Sequence, residues 1–452
     1  LIYDRYDIWV VDPFGNNQPV NLTVTGRQNK ITYRYIQTDP LEEFIDFSST
    51  LLLSGFDNTT KGYGYYSING LNNYSNSLVS NSEKSVNSSK SLVNSSEKSA
   101  SNSSIDASPE VLYRGDFMLN TPIKAKESDA YIFTRETFEE FPDILFTNNN
   151  FKKITPITKA NAQQNNFIWG TTRLIKWTSH DGVELEGVLY LPENFDPSLK
   201  YPMMVNFYDR NSHNLFSHRV PEAHRSTIDY HTYNSSGYVI FNPDVVYKDG
   251  YPGESAFNAV MPGITKVIEM GFVNPKKIGA QGHSWGGYQV AYLATRTNLF
   301  AAIESGAPVV NMFSAYGGIR WGSGLNRSFQ YEHQQSRIGA TPWESPLRYI
   351  ENSPLFTMDK VTTPILIMHN DKDGHVPWYQ GIEYFIALKR LRKPVWMLNY
   401  SGEVHWPQKL KNKADFQIRM KQFFDHYLKD TPAPKWMDSG ISAIELEAQT
   451  GY

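Results

Sequence analysis

The first third of the chain alternates apolar and polar positions over short stretches that polar turns separate. Residues 6–13 follow this pattern and stop at a turn over 15–17. Similar short runs follow at 30–37, 50–54, 63–68, 130–133 and 143–147. A period of two is typical of strands with one buried face, and no long helical pattern intervenes. The sequence therefore predicts an all-β region of antiparallel meanders over residues 1–165.

From residue 166 to residue 437 continuous apolar runs alternate with stretches of helical periodicity. A strand pair around the turn at 179–182 opens this region. Further strands are predicted at 201–208, 237–246, 277–281, 300–309, 364–370 and 395–400, and helices at 254–271, 289–296 and 413–428. This alternation predicts an α/β fold, a mostly parallel sheet with helices on both faces. Residues 438–452 are predicted to be a surface tail.

A low-complexity segment interrupts the β-rich region. Residues 77–85 read SLVSNSEKS and recur almost unchanged at 91–99, within an Asn/Ser-rich tract that runs to residue 108. So few apolar side chains cannot offset the entropy of ordering the chain. We therefore expect 77–108 to be a disordered insertion in a loop.

Composition limits the function classes. The length of 452 residues favours two domains, and the net charge of −3 provides no basic field for a nucleic-acid partner. No apolar run is long enough for a membrane span, and the absence of cysteine excludes a cysteine peptidase. The chain begins at Leu1 without a signal peptide, which suggests a fragment or processed form. An extracytoplasmic location, periplasmic or secreted, is slightly favoured over a cytoplasmic one.

The strongest chemical signal is the run 282–288, GHSWGGY, between a predicted strand and a predicted helix. It is a G-x-S-x-G nucleophile elbow, in which glycines let the chain bend sharply and expose the hydroxyl of Ser284. A nucleophilic serine needs a base and a residue that orients the base. After such elbows the acid and then the histidine follow in the sequence. Asp371 and Asp373 come after one predicted strand and His405 after the next, so both acids are candidates.

The sequence gives no support for a metal or a cofactor, since no HExxH or paired Cys/His spacing occurs. His369 lies in an apolar run and is interpreted as a core residue. His283, inside the elbow, is expected to pack against a neighbouring strand end, and His375 flanks the acidic loop.

Residues 172–436 resemble the catalytic domain of the prolyl oligopeptidase family of serine peptidases, which includes dipeptidyl and acylaminoacyl peptidases. The resemblance rests on GHSWGGY at 282–288, DGHVP at 373–377 and GEVH at 402–405. The family's acid stands three positions before a valine, which selects Asp373 over Asp371. The resemblance implies an α/β-hydrolase domain of 166–437, preceded in 1–165 by a truncated β-propeller, since about 160 residues hold only three or four blades.

The resemblance also implies the remaining site residues. The backbone N–H of Trp285 and the hydroxyl of Tyr208 would bind the oxyanion, although the sequence after Tyr208 departs from the family and brings Arg210 near the site. Arg210 is a candidate substrate-binding residue, with an ion pair to Asp209 or Glu222 as the alternative. The apolar substrate pocket would lie after the next strand. Its candidates are Val309, Met312, Phe313, Tyr316 and Trp321, which are equally compatible with a core.

The resulting prediction is a serine peptidase that cleaves short peptides through an acyl-enzyme, after proline or a small residue. An esterase with the same triad and a catalytically silent binding protein are the alternatives. The sequence does not distinguish exopeptidase from endopeptidase action, and it leaves a homo-oligomer open.

Overall fold

The computed structural model describes residues 1–39, 41, 43–46, 49–68, 108–148 and 151–440. The expected insertion at 77–108 lies outside this part of the chain except for Ser108, and the expected tail lies outside it beyond residue 440. The chain divides into two units, Leu1–Gln163 with Phe216–His218, and Gln164–Leu215 with Arg219–Tyr452.

The smaller unit consists of antiparallel sheets. A three-stranded sheet contains β1 (Ile2–Tyr3), β2 (Ile8–Val10) and β3 (Val20–Asn21), followed by the short helix α1 (Gly26–Asn29). A four-stranded meander contains β4 (Ile31–Tyr35), β5 (Leu51–Asp57), β6 (Tyr63–Ile68) and β7 (Glu110–Gly115). A five-stranded sheet contains β8 (Met118–Leu119), β9 (Ile123–Lys124), β10 (Ala130–Glu136), β11 (Asp143–Asn148) and β12 (Ile154–Pro156).

These sheets match the strands expected from the alternating pattern. The four-stranded sheet pairs its strands in sequence order, as a meander does. Apolar residues of this unit fill two clusters, one of which packs Tyr65 against Phe133 with ring centroids 5.2 Å apart. Within the described ranges the sheets do not close into a ring, so the propeller stays a prediction.

The larger unit is built on one eight-stranded mixed sheet. Its first strands are β13 (Thr171–Thr178), β14 (Glu184–Leu191), β15 (Tyr201–Asn206), β16 (Val239–Pro243), β17 (Val273–His283) and β18 (Ala302–Gly306). A separate ribbon follows with β19 (Ile319–Arg320) and β20 (Leu325–Asn326), and β21 (Ile365–Met368) and β22 (Val395–Leu398) complete the sheet. The strand order is β13-β14-β16-β15-β17-β18-β21-β22.

Helices cover this sheet. They are α2 (Tyr230–Ser235), α3 (Pro252–Glu269), α4 (Trp285–Ala294), α5 (Met312–Tyr316), α6 (Ser328–Glu332), α7 (Pro346–Glu351), α8 (Tyr379–Arg390), α9 (Leu410–Lys429) and α10 (Lys435–Asp438). Short 3₁₀ turns span Ala162–Asn166, Ser212–Asn214 and Pro354–Lys360. Every residue of β18, β21 and α4 is buried. Such uniform burial is expected for strands covered on both faces and for a helix enclosed by its neighbours.

The parallel strands determine where functional side chains meet. Neighbouring strands pair in parallel along the order β16-β15-β17-β18-β21-β22. At the other end of the sheet, β14 pairs antiparallel with both β13 and β16. Ser284 follows β17 directly, Asp373 follows β21, and His405 follows β22. Because the carboxyl ends of parallel strands share one edge, these three residues lie at the same edge of the sheet.

Candidate active site

Ser284 stands at a strained turn between β17 and α4. Its φ of 61° and ψ of −116° lie outside the regions that residues with a Cβ usually adopt. Its N–H donates to the Gly306 carbonyl at 2.7 Å, and its carbonyl accepts the Tyr288 N–H at 3.0 Å. The turn is therefore anchored on both sides, to the neighbouring strand and to the first turn of the helix.

Three glycines make this turn sterically feasible. A Cβ on Gly282 would clash with the backbone carbonyl of Gly286, and one on Gly287 would clash with that of Gly306. A Cβ on Gly286 would lie 2.7 Å from the Phe207 carbonyl oxygen. The obstacles are backbone atoms, which cannot rotate away, so each position requires glycine.

Asp373 is held as an anion by the groups around it. One carboxylate oxygen accepts the N–H groups of His375 and Val376 at 2.8 and 2.9 Å. The other lies 2.7 Å from His405 Nδ1 and 3.2 Å from His369 Nε2. Burial disfavours the charged form, but the hydrogen bonds from His369 and His405 outweigh it and hold the pKa of Asp373 well below its usual range.

The charge of Asp373 determines the tautomer of His405. An ionised carboxylate can only accept, so His405 Nδ1 carries the hydrogen of their 2.7 Å bond. Nε2 of a neutral His405 then has a lone pair, as a general base requires. The ring is 3% exposed and lies beside the same cavity as Ser284.

Asp371 serves a different neighbour. Its two carboxylate oxygens accept the Gly402 N–H at 2.7 Å and the Ser401 hydroxyl at 3.2 Å. It thereby ties the end of one loop to the other, while His405 donates its hydrogen bond to Asp373.

Two polar residues fix the loop that carries His405. Asn370 accepts the Tyr400 N–H at 3.0 Å and donates to the Val404 carbonyl at 2.8 Å. Glu403 accepts the N–H groups of Gln408 and Lys409 at 2.9 and 3.2 Å. The position of His405 is thus set by the backbone on both sides of it.

Three further histidines surround the Asp373–His405 pair. His283 is 7% exposed, its ring centroid lies 4.7 Å from that of His405, and neither of its ring nitrogens has a partner among the described residues. Burial and the proximity of His405 lower the pKa of His283 well below its usual value. His375 stacks on His405 at 4.9 Å, and burial lowers the pKa of His375 as well. The rings of His283 and His375 are therefore neutral near pH 7.

The two expected oxyanion donors lie at the same cavity. Trp285 occupies the first position of α4, where backbone N–H groups have no partner within the helix. Tyr208 is 38% exposed, and its hydroxyl oxygen accepts from Gln335 Nε2 at 2.8 Å. That contact leaves the hydroxyl hydrogen of Tyr208 available to another acceptor. The Tyr208 carbonyl is fixed by Gln289 Nε2 at 2.7 Å and by the Tyr247 hydroxyl at 3.2 Å.

The cavity has a volume of 640 Å³ and brings together several of the residues selected from the sequence. They are Ser284, Trp285, Tyr208, Val309, His283, His375 and His405. The other residues expected in an apolar pocket lie elsewhere. Met312, Phe313 and Tyr316 belong to a hydrophobic cluster with Tyr349, and Trp321 is 72% exposed. Of the five, only Val309 lines the cavity in the described part of the chain.

Arg210 also lies apart from the cavity. Its side chain is exposed, and it is absent from the residues that line the cavity. The carboxylate of Asp209 pairs instead with Arg337, 3.4 Å away.

Arg320, Arg327 and Gln335 are among the lining residues of the cavity that the sequence did not predict. Arg320 ends β19, and Arg327 follows β20, directly before α6. The ribbon β19–β20 is separate from the main sheet, and its apolar runs are too short for a sequence pattern to predict its strands. A lone arginine in such a segment has no sequence signature, so only the three-dimensional arrangement reveals it.

Asp373, His375 and His405 place one metal-ligating atom each within 4.8 Å of one another. They are the candidate metal ligands among the described residues. Asp373 already accepts hydrogen bonds from His369 and His405 through one oxygen. A cation would have to displace the bond that orients His405.

The comparison with known families identifies a related segment. Residues 248–431 match the family described as the prolyl oligopeptidase family. The elbow and the two loops lie within this range, so the resemblance read from them is confirmed.

Relatives of the chain are distant. An uncharacterized peptidase of Bacillus subtilis, YuxL, is 25% identical over 245 residues, 51% of this chain and 35% of its own. Dipeptidyl-peptidase 5 of Porphyromonas endodontalis is 28% identical over 271 residues, 54% of this chain and 35% of its own. The chain thus matches about a third of the length of each of these relatives.

The fold has close structural counterparts. The crystal structure of Porphyromonas gingivalis dipeptidyl peptidase 4 superposes with a TM-score of 0.65 and 16% identity, covering 93% of this chain and 53% of that one. This likeness, together with the mixed sheet, confirms the α/β-hydrolase part of the expected fold. None of the helices in the described ranges is long and apolar enough to cross a membrane.

Proposed function

We propose that the chain is a serine peptidase in which Ser284 attacks the substrate, His405 moves the proton and Asp373 orients His405. The observation that carries this proposal is the 2.7 Å contact between His405 Nδ1 and the Asp373 carboxylate, at the cavity that Ser284 lines. The match of residues 248–431 to the prolyl oligopeptidase family supports the same chemistry. The substrates are short peptides.

The first step forms an acyl-enzyme. His405 Nε2 takes the proton of the Ser284 hydroxyl as the oxygen attacks the scissile carbonyl, and the resulting imidazolium gives that proton to the leaving amine. The ionised Asp373 stabilises the imidazolium. A water molecule then repeats the sequence on the ester, which frees the acid product and restores Ser284.

The oxyanion of each tetrahedral intermediate is bound by the Trp285 N–H and the Tyr208 hydroxyl. One such donor contributes about 3 kcal/mol to transition-state stabilisation. Gln335 supports this role of Tyr208, since it donates to the hydroxyl oxygen and leaves the hydrogen for the oxyanion. The fixed carbonyl of Tyr208 restricts where the ring can lie.

We further propose that residues 1–165 form part of a β-propeller, that 166–437 form the catalytic domain, and that 438–452 form a tail. The four-stranded meander β4–β7 and the five-stranded sheet β8–β12 have the size of propeller blades. Residues 77–108 would lie between two strands of one blade, since β6 ends at Ile68 and β7 begins at Glu110.

A substrate panel tests the proposed function. It contains a free dipeptidyl-proline anilide, an amino-blocked glycyl-proline anilide, an acetyl-alanine anilide and a simple acyl ester, each with Ser284→Ala as the blank. Cleavage of an anilide that requires Ser284 supports a peptidase and shows whether a free amino terminus is needed. Turnover of the ester alone would replace the peptidase by an acyl hydrolase, and no turnover by a folded protein would contradict both.

A further inference from the structure

The cavity at Ser284 has an unusual charge balance. Three arginines line it, Arg219, Arg320 and Arg327, and no aspartate or glutamate is among its described lining residues. The lining histidines that burial keeps neutral, His224, His283 and His375, add no charge near pH 7. The cavity wall is therefore cationic, although the whole chain carries a net charge of −3.

Arg327 is built into this wall. It is 3% exposed, and its guanidinium donates to the His375 carbonyl and lies 3.4 Å from the Tyr331 hydroxyl. Its Nε has no hydrogen-bond partner among the described residues, and neither has the buried Oε1 of Gln330, which also lines the cavity. A buried guanidinium with an unused donor is costly unless a ligand completes it.

Arg320 lies in the same cationic wall. It is half-buried, and within the described ranges neither Arg320 nor Arg327 forms an ion pair with a carboxylate. Burial and the charge of Arg327 lower the pKa of Arg320, against which the charge of Asp373 acts in the opposite direction. An anion that accepts hydrogen bonds from both guanidinium groups would reduce the repulsion between them.

The position of Arg327 indicates which part of a substrate would reach it. Tyr331, which Arg327 contacts, belongs to one hydrophobic cluster with Trp285, Val309 and Val376. Trp285 is the proposed oxyanion donor, and Val309 and Val376 line the cavity. Arg327 is thus connected to the wall beside the proposed oxyanion site, where the acyl side of a substrate would lie, and Arg320 lines the same cavity. The leaving amine must instead lie next to His405, which protonates it.

We propose that Arg320 and Arg327 form a carboxylate-binding subsite that selects peptides with a glutamate or aspartate on the acyl side of the cleaved bond. This inference rests on the proposed peptidase function and specifies its substrate class. It replaces the proline or small residue that the family resemblance implies. Gln330 lines the same wall, and its unused oxygen would accept an N–H of the substrate rather than contact the carboxylate.

A matched pair of substrates measures the effect of the carboxylate alone. Acetyl-glutamyl and acetyl-glutaminyl aminomethylcoumarin amides have nearly the same shape and differ in charge. We expect kcat/KM at pH 7 to be about 10- to 100-fold higher for the glutamyl substrate, since hydrogen bonds between charged groups have this strength. Equal values, or faster cleavage of the glutaminyl substrate, would overturn the subsite.

Variants of Arg320, the less buried of the two arginines, assign the preference for a carboxylate. Arg320→Gln should bring the Glu/Gln ratio of kcat/KM close to one, Arg320→Lys should keep part of it, and Arg296→Gln should leave it unchanged. Arg296 is a matched control because it lies outside the cavity lining, beside Tyr292 on helix α4. If Arg320→Gln slows both substrates equally, Arg320 holds the shared backbone of the substrate and the proposal is wrong.

A second pair of substrates distinguishes a side-chain carboxylate on the acyl side from a free carboxyl terminus on the leaving side. Acetyl-glutaminyl-alanine with a free carboxyl terminus is compared with its amide. We expect similar rates, whereas an Arg320-dependent preference for the free acid would place the anion on the leaving side and overturn the assignment. Ser284-dependent cleavage of the glutaminyl substrates without any charge preference would leave the proposed function intact. Absence of all Ser284-dependent cleavage would contradict that function as well.

Discussion

At the residue scale, Asp373 accepts hydrogen bonds from His369, His405 and two backbone N–H groups. These donors keep it charged despite its burial. The charge in turn places the hydrogen of His405 on Nδ1. The proposed base thus obtains its tautomer from the surroundings of one carboxylate.

Replacement of each candidate acid tests this arrangement. Asp373→Asn keeps the shape but presents an amide to His405, which favours the wrong tautomer, and we expect kcat to fall by roughly 10⁴-fold. Asp371→Asn should reduce kcat only slightly, because Asp371 contacts Ser401 and Gly402 instead. Steady-state kinetics on the best anilide compares the two. The opposite ranking would move the proposed acid to Asp371.

The common position of Ser284, Asp373 and His405 at one edge of the sheet could be predicted because each follows a strand that its own apolar run identifies. The sequence did not predict Arg320, Arg327 or Gln335, which reach the cavity from the ribbon β19–β20 and from the segment after α6. Met312 and Tyr316 show the reverse case. An aromatic or apolar residue after a strand suits a pocket and a core equally well, and here both lie in a hydrophobic cluster.

At the element scale, the elbow joins β17 to α4 with no connecting loop. The helical pattern in the sequence predicts a start at residue 289, but α4 begins at Trp285. Residues 286 and 287 are glycines and have no apolar side chains, so a pattern based on apolar spacing does not detect the first turn of the helix. Their absence of side chains lets the helix approach the carbonyls of Phe207 and Gly306.

A methyl group at the elbow should therefore be poorly tolerated. In Gly286→Ala the new Cβ would lie 2.7 Å from the Phe207 carbonyl oxygen. We expect the free energy of unfolding to fall by about 1–3 kcal/mol, as for other overpacked sites. Activity should fall too, because Trp285 and Tyr208 adjoin the displaced backbone.

Chemical denaturation and kinetics on the same preparation measure both effects. Gly317→Ala is the matched control, since its Cβ would meet only the Phe313 carbonyl oxygen at 4.0 Å. Similar stability and activity for the two variants would show that the elbow does not need the close approach described here.

A polar row crosses the central strands below the elbow, and no pattern in the sequence predicts it. Asn206 donates to Gln281 at 2.5 Å, and Gln281 donates to Glu304 at 2.8 Å. The three residues are register neighbours on β15, β17 and β18. Each interrupts an apolar strand singly, so only the strand order shows that they form one network.

At the scale of the whole molecule, Glu304, the titratable residue of this polar row, makes stability depend on pH. Glu304 is fully buried, and burial raises its pKa to about 8, against which the hydrogen bond from Gln281 acts in the opposite direction. The group is neutral in the folded protein near pH 7 and charged in the unfolded chain. The folded state therefore binds more protons between the two pKa values, and stability decreases as pH rises through that interval.

Glu304→Gln should remove most of this dependence. In the wild-type protein we expect the ionisation of Glu304 to lower the free energy of unfolding by about 3 kcal/mol as the pH rises from 5 to 8. Denaturant titrations at several pH values measure the slope, with Glu254→Gln on the outer surface of α3 as the control. An equal slope in Glu304→Gln and the control would show that Glu304 is already charged in the folded protein.

The division into a β unit and an α/β unit could be predicted because the hydrophobic period changes from two to alternating strand and helix patterns near residue 166. The parallel order of the strands also follows from the helices between them. The sequence pattern could not predict whether the β sheets close into a ring, because pairing between distant strands leaves no periodic signal in a single sequence.

The most direct test of the proposed mechanism is labelling with a fluorophosphonate, read by intact mass and peptide mapping. Wild-type protein should gain one label, on Ser284, Ser284→Ala should gain none, and His405→Gln should react far more slowly while remaining folded. A label on another serine, or equal rates for the wild type and His405→Gln, would contradict an activated Ser284.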